Sequence, residues 1–178
     1  MRTLLQNYFS TTWLEKPRSL EQYKYSGLAI LDKIDVENDR VLDVGCGTNP
    51  FKGKIKNLWG IDITDVGADQ VIDIENFVTD EPFDVALCLG SINFGGEATI
   101  DLQMAAINRA VKLDGGRVFW RLNPGRADHG NEECKEITFF PWNRNYLEMF
   151  ARAYRFDMVD FQEDSNNRLY AEWVRKKR

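Results

Sequence analysis

Five short apolar runs alternate with helical patterns along this chain, and no other feature restricts its fold so strongly. Val41-Leu42-Asp43-Val44 comes first, followed by Leu58-Trp59-Gly60-Ile61, Gln70-Val71-Ile72, residues 83–89 and residues 117–122. Between them, residues 26–35 place Leu28, Leu31 and Ile34 on one helical face. Ile100, Met104, Ile107 and Val111 recur at spacings of 4, 3 and 4, a helical stripe that stops at the capping run Asp114-Gly115-Gly116. Strands alternating with helices predict a parallel sheet joined by helical crossovers. Leu147, Phe150, Ala151 and Tyr154 mark a further helix, capped by Asn143 or Asn145. Residues 156–161 and 169–174 then alternate across the turn-rich Asp164-Ser165-Asn166-Asn167, which predicts a closing antiparallel hairpin. The expectation is an α/β fold, an open and mostly parallel sheet covered by helices.

Length and charge narrow the class. The 178 residues suit a single domain. A net charge of −5 gives no global attraction for phosphate backbones, so nucleic acid is not expected as a partner. The basic run at residues 174–178 reads as a solvated chain end. Cys46, Cys88 and Cys134 are odd in number and widely spaced, which fits neither a disulfide framework nor a zinc site; no metal is expected. Two of them lie in apolar runs as small hydrophobes, pointing to a reducing compartment, and we expect the cytoplasm. The first ten residues resemble neither a signal peptide nor a membrane span, and no apolar run elsewhere reaches membrane length.

The first strand runs into Gly45-Cys46-Gly47, a turn of the kind that cradles a ligand, since glycine permits positive φ and close backbone approach. A dinucleotide fingerprint would place a third glycine at position 50, where proline stands. Proline has no N–H for a phosphate and suits a first helical position, so Asn49-Pro50 is expected to cap and start a helix. A ligand without pyrophosphate is favoured. In open α/β sheets ligands bind beyond the carboxyl ends of the strands, near the switch point. Asp43, Asp62, Asp73 and Gly90-Ser91 all stand at such ends and are expected to converge.

Asp43-Val44-Gly45-Cys46-Gly47 after an apolar strand resembles the first motif of class I S-adenosylmethionine-dependent methyltransferases. That pattern ends on a third glycine where this chain has Asn49, a residue tolerant of left-handed geometry. The short, Gly53-containing segment before Leu58 implies a truncated or irregular first helix. The resemblance implies a Rossmann-like, seven-stranded sheet with helices on both faces and a C-terminal antiparallel hairpin. It implies that Asp62, followed by Ile63, binds the ribose hydroxyls, because two carboxylate oxygens can accept from adjacent hydroxyls. It implies that Asp73 and Ile74 hold the adenine, while Asp43, Gly45, Cys46, Gly47, Gly90 and Ser91 line the rest of the cofactor. Val111-Lys112-Leu113-Asp114-Gly115-Gly116 resembles the family's segment before the fifth strand.

The resemblance further implies methyl transfer, a reaction in which positioning supplies much of the acceleration without any acid or base. The acceptor site is expected above residues 90–95 and under residues 123–142. Candidate acceptor contacts are Asn93, Arg126, His129 and Tyr25; His129, the only histidine, is also the candidate general base. One domain is expected, with residues 1–39 as a helical lid and substrate region over a core of residues 40–178. The little material outside the core suggests a small-molecule acceptor. Three other readings compete: a non-catalytic cofactor sensor, a nicotinamide-dependent oxidoreductase, disfavoured by Pro50, and a polyamine synthase, disfavoured by Gly90-Ser91 where those enzymes carry an acid.

Overall fold

The computed structural model describes residues 2–15, 27–124, 135–165 and 167–176. Seven strands form one sheet: β1 (Arg40–Val44), β2 (Asn57–Asp62), β3 (Gln70–Val71), β4 (Val85–Cys88), β5 (Arg117–Leu122), β6 (Phe156–Glu163) and β7 (Leu169–Arg175). Their spatial order is β3-β2-β1-β4-β5-β7-β6. The first five run parallel, and β7 inserts antiparallel between β5 and β6. The chain winds one way from β1 to β3 and the other way through β4, so the switch point lies between β1 and β4.

Burial explains the middle of the sheet. Every residue of β4 is buried, and Val41 and Leu42 of β1 are fully so. Strands this apolar are stable only with both faces covered. One face carries α2 (Glu97–Ala110) and α3 (Arg144–Ala153), which bury Ile100, Met104, Ile107, Leu147 and Phe150 against Val118, Trp120 and Trp173. The opposite face is covered by Ile30, Phe51 and Ile55 packing on Val41, Val85, Leu87 and Phe119. The cap of α3 is Asn143, whose side chain accepts from the Tyr146 N–H at 3.0 Å.

Three local expectations are corrected. The helix expected at residues 26–35 is a 3-10 segment, Leu28–Lys33. Gly27 enters it at φ 56, and the turn at Asp35 closes it, with that carboxylate accepting from the Glu37 and Asn38 N–H groups. Asn49-Pro50 starts no helix. A cap residue needs extended backbone, whereas Asn49 sits at φ 54 with its side-chain amide donating to the Gly67 carbonyl at 3.1 Å. The third expected strand is only two residues long, and Asp73 lies beyond it, ahead of a 3-10 turn at Ile74–Asn76.

Candidate cofactor and acceptor cavity

The turn after β1 follows an alternating rule. Gly45, Gly47 and Asn49 take φ of 72, 55 and 54, all left-handed. The Gly45 and Cys46 N–H groups donate to the Ile61 carbonyl at 2.8 and 3.1 Å, which ties the turn to β2. The next tie is a side chain. Asp62 accepts from the Gly47 N–H at 2.9 Å through Oδ2, and from the Thr64 N–H and hydroxyl at 2.8 and 2.7 Å through Oδ1. A carboxylate has about four acceptor sites, so roughly one stays open. Space as well as φ demands glycine here: a Cβ on Gly45 would lie 2.3 Å from Cβ of Ser91, and one on Gly47 would lie 2.7 Å from the Trp13 ring.

Above this turn lies a cavity of about 460 Å³, within the range of small-molecule sites. At the β2–β3 end its wall holds Asp62, Ile63, Asp73, Ile74, Glu75 and Gln103. Gly45 and Gly47 form the middle, and Leu89, Gly90, Ser91 and Arg121 form the β4–β5 end. The roof is Leu5 and Phe9 of α1 (Arg2–Ser10), with Trp13 and Phe94. Tyr8, Phe9, Trp13, Phe94, Ile137 and Phe139 make a small apolar cluster that seats α1 there, and Gln6 donates to the Ile63 carbonyl at 3.2 Å.

The electrostatics run from negative to positive along the cavity. Asp43 is buried beneath the turn, and no hydrogen bond reaches its carboxylate from the described residues. Burial, and next the charge of Asp62, push its pKa up to about 7. Burial likewise raises the thiols of Cys46 and Cys88, which keeps both protonated and unreactive. Among the described residues no cluster of side chains suits a metal ion.

The expected site residues fall into three groups. Gly45, Gly47, Asp62, Ile63, Asp73, Ile74, Gly90 and Ser91 line one cavity, although they span 47 positions of sequence. Asp43 and Cys46 lie outside its lining, as does Asn93. The Asn93 side chain instead braces two loops, donating to the Gly90 carbonyl at 2.7 Å and accepting from the Asn123 N–H at 2.8 Å. Tyr25, Arg126 and His129 lie outside the described residues. Leu5, Phe9, Thr99, Gln103 and Arg121 line the cavity without having been expected to. Gln103 flanks the apolar stripe of α2; its amide donates to Glu75 at 3.2 Å, and its buried Oε1 has no partner among the described residues.

The fold has solved counterparts. The 1,6-didemethyltoxoflavin-N1-methyltransferase of Burkholderia thailandensis, crystallised with bound 1,6-didemethyltoxoflavin and S-adenosylhomocysteine, superposes with a TM-score of 0.74 at 16% identity, over 99% of this chain and 87% of that one. The magnesium protoporphyrin IX methyltransferase of Synechocystis PCC 6803, with bound S-adenosylhomocysteine, gives 0.73 at 12% identity, over 98% and 99%. The chain has the fold of these methyltransferases. An N-methyltransferase of Bradyrhizobium japonicum WM9, also crystallised with S-adenosylhomocysteine, shares the methyltransferase fold less closely, at a TM-score of 0.56 and 14% identity over 77% and 78%. No protein-family model and no curated protein matches the sequence.

Proposed function

We propose that this protein binds S-adenosylmethionine in the cavity and transfers its methyl group to a small molecule. The observation that carries the reading is that the Gly45–Gly47 turn, Asp62 and Asp73, three features separated in sequence on the same side of the sheet, line a single cavity on the methyltransferase fold. In this reading Asp62 accepts from the ribose through its open site while its other bonds hold the glycine turn in shape. Asp73 and the unpartnered Oε1 of Gln103 offer acceptors to the adenine amino group, with Ile74 against the ring. Bound cofactor supplies an electrophilic methyl on a positively charged sulfur. The protein's part is to hold donor and acceptor in line and keep water out, which suits a cavity roofed by Phe9, Trp13 and Phe94. Residues 2–15 act as the lid of a single domain. The buried free thiols of Cys46 and Cys88 favour a reducing, cytoplasmic setting.

Thermal-shift titration with S-adenosylmethionine and S-adenosylhomocysteine tests the cofactor, and turnover of labelled methyl donor against a metabolite panel tests the transfer. Both nucleosides should stabilise the protein, and a nicotinamide dinucleotide should not. Stabilisation without turnover on any acceptor would leave a cofactor sensor in place of an enzyme. Asp62→Ala should lower affinity for S-adenosylhomocysteine at least tenfold by calorimetry; affinity equal to wild type would end the ribose assignment.

A further inference from the structure

Arg117 and Arg121 stand four residues apart on β5, on the same face, and are treated differently by the fold. Arg117 has two carboxylates beside it, Asp39 and Glu172, each at 3.6 Å. Arg121 has no carboxylate within ion-pairing distance among the described residues. Its Nη1 donates to the Leu89 carbonyl at 3.3 Å, and its other partner is the Tyr170 hydroxyl, which itself donates to Asp164 at 2.9 Å. Its Nε is fully out of solvent with no acceptor among the described residues. Burial first and the neighbouring cation Arg168 second depress the Arg121 pKa, and Tyr170 and the carboxylate of Asp164, which lies beyond ion-pairing distance, oppose them only in part.

A buried guanidinium without a directly paired carboxylate is unfavourable, and here it faces a cavity rather than the core. It stands at the β4–β5 end, beside Leu89, Gly90 and Ser91, opposite the acids Asp62, Asp73 and Glu75. A Cβ on Gly90 would lie 3.2 Å from Arg121 Nη1, so glycine leaves the fork room to present itself there. A planar fork of donors matches a carboxylate.

The geometry points to Arg121 as the carboxylate receptor of this cavity, completed by an anion that the ligand brings. Which molecule carries that carboxylate rests on the proposed function: either the methionyl end of the cofactor, or an acidic acceptor. Three probes separate these sources. S-adenosylhomocysteine has the amino-acid carboxylate, 5′-methylthioadenosine lacks it, and benzoate stands for an acidic acceptor.

Calorimetry on wild type, Arg121→Gln and Arg121→Lys reads the outcome. A tenfold or greater loss of S-adenosylhomocysteine affinity in Arg121→Gln, with 5′-methylthioadenosine unchanged and Arg121→Lys intermediate, assigns the cofactor carboxylate. Unchanged affinity for both nucleosides, with benzoate binding to the S-adenosylhomocysteine-saturated protein lost in Arg121→Gln, assigns an acidic acceptor. Ligand-free Arg121→Gln should melt no lower than wild type, because it sheds an unpaired buried charge. Equal binding of all three probes by wild type and Arg121→Gln overturns the assignment, as does a lower melting point with both nucleosides weakened alike. If wild type binds neither nucleoside, the proposed function falls, yet benzoate binding still decides the role of Arg121.

Discussion

At the scale of single residues, Asp43 carries the most stored chemistry. Its pKa rises from an ordinary 3.8 to about 7 because burial, and then Asp62, disfavour its charge. Between those values the folded chain holds a proton that the unfolded chain has lost. Stability should therefore fall as pH rises from about 4 to about 7, by on the order of 4 kcal/mol at most. Urea unfolding at pH 5 and pH 8 should show that slope in wild type and its loss in Asp43→Asn. The same carboxylate makes a second prediction under the proposed function. A sulfonium near the turn favours ionised Asp43, whereas the uncharged thioether of S-adenosylhomocysteine does not. The affinity ratio of S-adenosylmethionine to S-adenosylhomocysteine should increase from pH 6 to pH 8, and Asp43→Asn should flatten it. Glycines give a paired test. Gly53 has φ 78 and open space around it, so Gly53→Ala should cost only about 1 kcal/mol for its backbone conformation. Gly45→Ala adds a collision with Ser91 and should cost about 3 kcal/mol by denaturant melt.

At the scale of elements, the strands and α2 were legible because their patterns are local. The β5 run is bounded by Gly116 before it and the strand-breaking Pro124 after it, and the predicted and observed strands coincide at Arg117–Leu122. The segment before β1 was less legible. Leu28, Leu31 and Ile34 are spaced for a helix, yet six residues entered through a left-handed glycine and closed by the Asp35 turn settle as 3-10. Asn49-Pro50 misled for a similar reason: the same asparagine side chain that can cap a helix can stabilise a left-handed turn, and its contact with Gly67 selects the second. The roof is the element with the plainest functional test. Trp13 covers Gly47, and α1 is held mainly by apolar contacts and the Gln6 bond to Ile63. Trp13→Ala should speed S-adenosylhomocysteine release several-fold in stopped-flow measurements while shifting the melting temperature of the ligand-free protein little, since the sheet does not depend on it.

At the scale of the whole molecule, Arg175 joins residues that do not line the cavity. From the end of β7 its guanidinium donates to the Asn108 carbonyl at 2.8 Å and the Tyr154 carbonyl at 3.0 Å, and it sits 4.1 Å above the Phe156 ring. It thus locks α2 and α3 to the closing hairpin, at the end of β7 that pairs with the start of β5. Removing it leaves these half-buried carbonyls without their donor, so Arg175→Met should cost roughly 3 kcal/mol in global stability. Its affinity for S-adenosylhomocysteine should stay at the wild-type value under conditions where it is folded. Loss of affinity at full folding would mean that the hairpin and the cavity are coupled.

The sequence alone determined the succession of elements, the parallel-then-hairpin sheet and the positions of Gly45, Asp62 and Gly90 at or just beyond strand ends. Those are readable because periodicity and turn chemistry act over a few residues, and because strand order fixes which ends meet. Only the tertiary structure decided that Asp62 spends most of its acceptors on Gly47 and Thr64, that Asn93 braces loops, and that Trp13 and Phe9 roof the cavity. It alone revealed Gln103 and Arg121 in the wall. Each of those facts depends on packing between segments distant in the chain, and no local pattern records which side chain a fold will leave without a partner.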